Sequence, residues 1–507
     1  MLGPRTEAST HDSDVLILGD ELESCLTACV LGWHGLRVTL LRRSRGLLGG
    51  LSTRGGLSYM DLTPEFLPPM MASVLKESGL KRVALHAETA SEVLARRLRA
   101  AKVKVVSGVR ASVLLKTTHA LPEIDALLDQ ASGERYRADF YMDSTPDASL
   151  ARQAGIPARL GLGHVFGDSP HLNALGVSPL FRVEGLPYTT LEAAEASLRR
   201  RPDMSDLLKI SMPWLTSDER QTLLERPTYA PDASDYLDIL NNVIGVAYHH
   251  WRYGDTVAYG EAPFWIDGFN IARLPEGGLG FNGLITRLSL EEQVRYSEEG
   301  QPPNDAMQSE MQAFLAFLRE ITACPDLILH PASEVYIRQT YNIVSKTSLT
   351  ARTLFKGGVP AKDSIGTFSY WLDFRGVHPW HAYPDLHPLP KPIFNVGLSA
   401  HCPKHDEQGL HRLAILGRSS GFSPLAQGAC RIVQYNAIVG EALAHAIALG
   451  LANAQSPWDV SSEAIYSSQA RLAMALGELN PPKAGGLCTL TEALAHSPLL
   501  QRDDRLA

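Results

Sequence analysis

Asp14-Val15-Leu16-Ile17-Leu18-Gly19-Asp20-Glu21-Leu22-Glu23-Ser24-Cys25 is the stretch on which the fold turns. Val15 to Leu18 form a short continuous apolar run, the pattern of a strand buried on both faces. Gly19 ends the run. From Leu22 to Trp33 the spacing is helical, with small residues at Ser24, Cys25, Ala28 and Cys29. Gly35 stops that helix, and Leu36 to Leu41 read as a second strand. A strand, a helix and a strand in about thirty residues make a crossover unit, which sets its two strands parallel.

A strand that runs into a tight turn and a helix N-terminus presents unpaired N–H groups and a dipole that favour phosphate. The usual dinucleotide version needs glycine three times, for the turn, the pyrophosphate approach and the helix packing. Here those positions are Gly19, Glu21 and Ser24. A carboxylate about 4 Å from a pyrophosphate costs on the order of 4 kcal/mol at an effective dielectric of 20. The acidic residue that normally binds ribose at the end of the second strand is replaced by Arg42, with Arg43, Arg45 and Arg54 close behind. Either this basic cluster receives phosphates in a rearranged site, with Glu21 turned toward Arg42 or Arg43, or Glu21, Glu23 and Arg42 satisfy one another at the surface.

Outward from this unit, the helix Ala90 to Ala101 leads to a third β segment at Val103 to Val109, and another strand reads at Tyr136 to Met142. Between roughly Leu160 and Pro390, Pro, Trp and Tyr become common, and helices such as Asn304 to Thr322 are separated by long loops. Leu413 to Leu416 read as a strand leading to a helix over Ala426 to Leu449. The last stretch, from Gln455, is helical and turn-like. There is no internal repeat.

The 507 residues leave room for two or three domains. Forty-seven Lys and Arg against fifty-five Asp and Glu give a net charge of −8, which argues against a nucleic-acid partner. Six cysteines in so long a chain make no disulfide framework, and Cys25 and Cys29 read as buried small residues. Met1 to Asp14 lack the apolar core of a signal peptide. The apolar stretch Ala437 to Ala454 contains Glu441 and His445 and reads as a buried helix rather than a membrane span. A soluble, cytoplasmic protein is expected.

Four further segments decide the family. Gly46-Leu47-Leu48-Gly49-Gly50-Leu51-Ser52-Thr53 resembles the turn of FAD-dependent oxidoreductases that wraps the flavin diphosphate and ring edge. Asp143-Ser144-Thr145-Pro146-Asp147-Ala148 is similar to the family's Asp-Ala-Thr-Gly-Asp segment, with Pro146 in place of glycine. Tyr336-Ile337-Arg338-Gln339-Thr340 stands where the family has an Arg-Glu pair. Leu416-Gly417-Arg418 with Ala426-Gln427-Gly428-Ala429-Cys430-Arg431-Ile432 resembles the family's C-terminal flavin segment.

The resemblance implies an α/β protein with a glutathione-reductase-like, Rossmann-like FAD-binding domain. Its two parts are expected at 12–160 and 391–455, around an inserted α+β substrate domain at 161–390, with a helical C-terminal tail at 456–507. The implied activity is hydride transfer between a small organic substrate and FAD. The implied cofactor contacts are Gly19, Glu21, Ser24, Arg42, Arg43, Gly49, Gly50, Ser52, Thr53, Asp147, Gly417 and Arg418, and Arg338 is the candidate for a substrate anion or flavin carbonyl. A flavin-free descendant that keeps the fold as a binding or scaffold protein is the alternative reading.

Three histidine-bearing segments remain. His378, His381 and His387 lie among Trp380, Tyr383 and prolines; His378 and His381 are candidates for an acid or base near the flavin ring, against the reading of an ordered surface loop. Tyr248-His249-His250-Trp251 allows the same pair of readings. His401-Cys402-Pro403-Lys404-His405 offers soft ligands, but nothing nearby completes a four-ligand set, so no metal is expected.

Overall fold

The computed structural model describes residues 9–80, 83–118, 121–167, 172–212, 216–225, 236–237, 243–254, 261–377, 389–404, 410 and 412–506. His378, His381, His387 and His405 lie outside them.

The opening unit forms as its pattern dictates. Strand β1 (Thr10–Leu18) leads through helix α1 (Leu22–Trp33) to strand β2 (Val38–Arg42), and β1 and β2 pair in parallel from Val15 opposite Val38 to Leu18 opposite Leu41. The alternation of side chains explains the unbroken apolar run: Val15 and Ile17 enter one core, Leu16 and Leu18 another on the opposite face. Strands β3 (Lys104–Ser107), β4 (Ala111–Thr118), β5 (Leu121–Asp129) and β6 (Arg135–Asp143) complete the order β3-β2-β1-β6-β5-β4. The β4–β5 hairpin is antiparallel, as is its junction with β6.

The two halves of β6 have different neighbours on their outer edge. Arg135 and Tyr136 pair with β5, whereas Tyr141 to Asp143 pair in parallel with the late strand Leu413–Ile415. Around the carboxyl ends of the strands the sheet is therefore parallel throughout. Helix α1 lies against the long helix Val433–Ala452, and a Cβ on Gly440 would overlap the Thr27 hydroxyl, so the close approach requires glycine. Among the described residues, Val433–Ala452 is the one helix long and apolar enough to cross a membrane, and it is mostly buried in the protein.

A second, antiparallel sheet has the order Ile328–Pro331, Phe181–Glu184, Leu279–Thr286, Phe264–Arg273, Tyr236–Leu237. It builds its own core with the helices Val243–Tyr253 and Asp305–Thr322. Leu349 to Val377, by contrast, contribute to the first core. The helix expected over Ala426 to Leu449 is interrupted. Gln427–Cys430 and Val433–Ala452 are separate because Ile432 is extended (φ −69°, ψ 139°). Arg431 at the break is drawn away to Tyr336 and Asp373.

Candidate functional site

β1 is flanked by β2 on one side and β6 on the other, and their connections leave in opposite directions. Such a switch point opens a crevice at the carboxyl ends of the strands. A cleft of ≈ 920 Å³ lies there, within the size range of small-molecule sites. Of the expected contacts, Gly19, Glu21, Arg43, Asp147 and Arg418 line it.

The turn after β1 is laced to the glycine turn after β2. Gly49 N–H donates to Asp20 O at 3.0 Å, and Glu21 and Gly49 form a parallel bridge. Successive residues of this extended segment point to opposite sides. Asp20 faces β2, where its Oδ2 is 2.9 Å from Arg42 Nε and 2.6 Å from Arg54 Nη1. Arg42 also donates to Gly46 O and Leu47 O at 2.7 and 2.8 Å, and Arg54 pairs with Glu334 at 2.8 Å.

Glu21 faces the other way, so its expected pairing with Arg42 or Arg43 does not form. Its Oε2 accepts from Leu51 N–H at 2.9 Å and its Oε1 from Arg418 Nη2 at 3.1 Å. Gly50 (φ +51°) sits beneath this carboxylate, and a Cβ there would overlap it. A backbone N–H and a guanidinium thus converge on the two oxygens of one anion. Glu21, Leu51 and Arg418 line both the cleft and an adjoining small space of ≈ 10 Å³ that also touches Glu23, Gly417, Arg431 and Val433.

Glu23 is buried there, and burial followed by the neighbouring Glu21 charge pushes its carboxyl up to about 8. Its Oε2 has no hydrogen-bond donor among the described residues. Arg43 and Arg110 line the cleft without an ion-pair partner among the described residues. Asp147 is held by Arg152 at 2.5 Å, and Arg152 also reaches Glu298 at 2.7 Å. Asp143, fully buried, accepts from Thr145 N–H, Thr145 Oγ1 and Ala151 N–H, which fixes the β6 turn.

The remaining expected residues stand behind these surfaces. Ser24 hydrogen-bonds Ser144 across the crevice floor at 2.5 Å. Ser52 and Thr53 form the back of the glycine turn and line a second pocket of ≈ 240 Å³ with His86, Arg182 and His330. Arg338 is buried away from both: it donates to Gly176 O at 2.7 Å, stacks over the Tyr336 ring at 4.3 Å, and burial lowers its pKa to about 10. Tyr248 and His249 are buried in the second unit, where the Tyr248 hydroxyl donates to Glu310 at 2.5 Å. His401 is buried, bonded to Ile415 O at 2.9 Å, and burial lowers it to about 4. Among the described residues no group of three or more His, Cys, Asp or Glu is placed to hold a metal.

Leu51 lies in the turn expected to wrap the diphosphate but was not singled out, because its contribution is a backbone N–H with no side-chain signature. Sequence reasoning missed Asn342, whose amide donates to Arg418 O at 2.9 Å, Ser420 O at 3.1 Å and Gln427 Oε1 at 2.9 Å, fastening the loop that carries Arg418. Arg110 and His86 come from segments without a motif. Glu23 was legible as a carboxylate two positions from Glu21.

A family profile described as FAD dependent oxidoreductase matches residues 14–472. Curated proteins give no sequence match. Among solved structures, the chain is similar to the myxobacterial chondrochloren halogenase CndH, an FAD-dependent halogenase, at 12% identity and TM-score 0.42, covering 91% of this chain and 79% of that one. It is similar to the flavin-dependent brominase Bmp2 at 10% identity and TM-score 0.42, covering 91% and 84%. The flavin-dependent monooxygenase PieE, solved with FAD and substrate, resembles it at 11% identity and TM-score 0.40, covering 92% and 71%.

Proposed function

The chain belongs to the family of FAD-dependent oxidoreductases, and from that membership we propose that it transfers a hydride between a small organic molecule and FAD held in the ≈ 920 Å³ cleft. FAD is the cofactor of this family. The observation that carries the reading is the anion seat at the cleft's edge, where Leu51 N–H and Arg418 bind the two oxygens of a carboxylate as they would two phosphate oxygens. The residues present fit the dinucleotide: Gly19 turns the chain beneath it, Arg43 and Arg110 face the same cleft, and the seat supplies donors for the diphosphate.

Bound flavin accepts or returns the hydride's electron pair. The chain's own residues orient, neutralise and exclude water. Arg42 and Arg54 act here through Asp20, holding the glycine turn in place rather than touching the cofactor. The substrate side of the same proposal is the ≈ 240 Å³ pocket behind Ser52 and Thr53. His86, 3.3 Å from Arg182 and from Glu88, is placed there to take a proton from the carbon-bound oxygen or nitrogen of a substrate. The division at 12–160, 161–390, 391–455 and 456–507 belongs to this proposal, supported by a second sheet that falls wholly within 161–390.

One observation favours the flavin-free alternative, namely that Glu21 itself fills the anion seat. Denaturing the purified protein and identifying the released small molecules by mass spectrometry separates the two. Stoichiometric FAD, with flavin absorbance before denaturation, is expected. A folded protein that releases no flavin and binds none on addition sinks the oxidoreductase reading.

A further inference from the structure

The Glu21 carboxylate lies where an incoming anion would lie. Both of its oxygens are satisfied, one by Leu51 N–H at 2.9 Å and one by Arg418 Nη2 at 3.1 Å, and Gly50 leaves room for it by lacking a Cβ. The same residue lines both the ≈ 920 Å³ cleft and the adjoining small space of ≈ 10 Å³. Glu23 and Arg418 line that small space, and Glu23 Oε2 and Arg418 Nε are buried with no hydrogen-bond partner among the described residues.

We propose that Glu21 is an internal stand-in for the diphosphate, and that a nucleotide's phosphates take the Leu51–Arg418 seat only when the Glu21 carboxylate leaves it. This rests on the FAD reading above and adds to it a residue that sets cofactor affinity. The competition is between two anions for the same donors. A ligand without phosphate avoids it, and a ligand with a diphosphate meets it in full.

The test compares adenosine, ADP and FAD by calorimetric titration into the flavin-stripped full chain and into E21A and E21Q, with circular dichroism to verify folding. In E21A, ADP and FAD affinity are each expected to rise at least tenfold, with adenosine unchanged within twofold. E21Q keeps an acceptor for Leu51 N–H but loses the charge held by Arg418, so a smaller rise of at least threefold is expected; it serves also if E21A fails to fold. Adding R418A to either variant should abolish the gain. Unchanged or weakened ADP and FAD binding in both Glu21 variants overturns the proposal, and weakening would mean that Glu21 contacts the cofactor directly. A gain for ADP without any FAD binding would leave the anion seat standing and overturn the flavin reading instead.

Discussion

Two buried glutamates carry their protons into the neutral range. Burial, with the nearby Glu21 charge, pushes Glu23 up to about 8, and burial alone pushes Glu441 up to about 8 against the bond from Met70 N–H at 2.8 Å. In the unfolded chain such groups lose their protons near pH 4.5, so between pH 4.5 and 8 the folded state binds more protons than the unfolded state. Stability therefore falls as pH rises through that window, by on the order of 5 kcal/mol for each group across it. Glu23→Gln should remove most of one such slope: a higher Tm at pH 8, little change near pH 4.5, measured by thermal melts across pH. An unaltered slope would place the Glu23 carboxyl in the ordinary range. On the substrate side, His86→Asn should lower kcat at least tenfold while leaving flavin content unchanged, which steady-state kinetics with flavin absorbance would show. Loss of flavin together with turnover would move His86 from the substrate to the cofactor.

At the scale of elements, one C-terminal side chain ties its helix to two other segments. Asp503, fully buried in the helix Pro498–Asp504, accepts from Ala351 N–H and Leu425 N–H at 3.0 Å each and from the Ser423 hydroxyl at 2.6 Å. Asp503→Ala leaves these buried donors unsatisfied, and a loss of roughly 3–5 kcal/mol is expected in chemical denaturation. A change under 1 kcal/mol would mean that water replaces the carboxylate. The bounds of α1 were legible because an apolar run with small residues is bracketed by the glycines Gly19 and Gly35. The break at Ile432 was not, since no proline or glycine marks it; buried bonds from Arg431 to Tyr336 and Asp373 decide it. The partner of Glu21 was likewise hidden. Sequence places Arg42 and Arg43 nearest, but alternation along the turn sends Asp20 to Arg42 and Arg54 and leaves Glu21 for Arg418, which arrives from the far end of the chain. The floor of the site was thus readable from local pattern, whereas its electrostatics depended on which distant loop lay opposite.

Over the whole molecule, the two sheets have separate apolar cores, one around β1, α1 and Val433–Ala452 and the other around Tyr248, Phe281 and Phe314. Two thermal transitions are expected in calorimetry rather than one. Saturating FAD at about 100 times its Kd should stabilise the first by about 2.7 kcal/mol and leave the second nearly unmoved. A single transition that shifts as a whole would show the sheets to unfold together. The shared edge of β6 has its own consequence for synthesis. Tyr141 to Asp143 emerge from the ribosome early, but the strand that covers them, Leu413–Ile415, comes only after the second sheet has been made. At about 5–20 residues per second the nascent chain spends tens of seconds with that edge bare. An uncovered strand edge recruits other strands, so premature termination before Leu413 should yield chains that aggregate, and slow translation through the second sheet should make the protein a chaperone client.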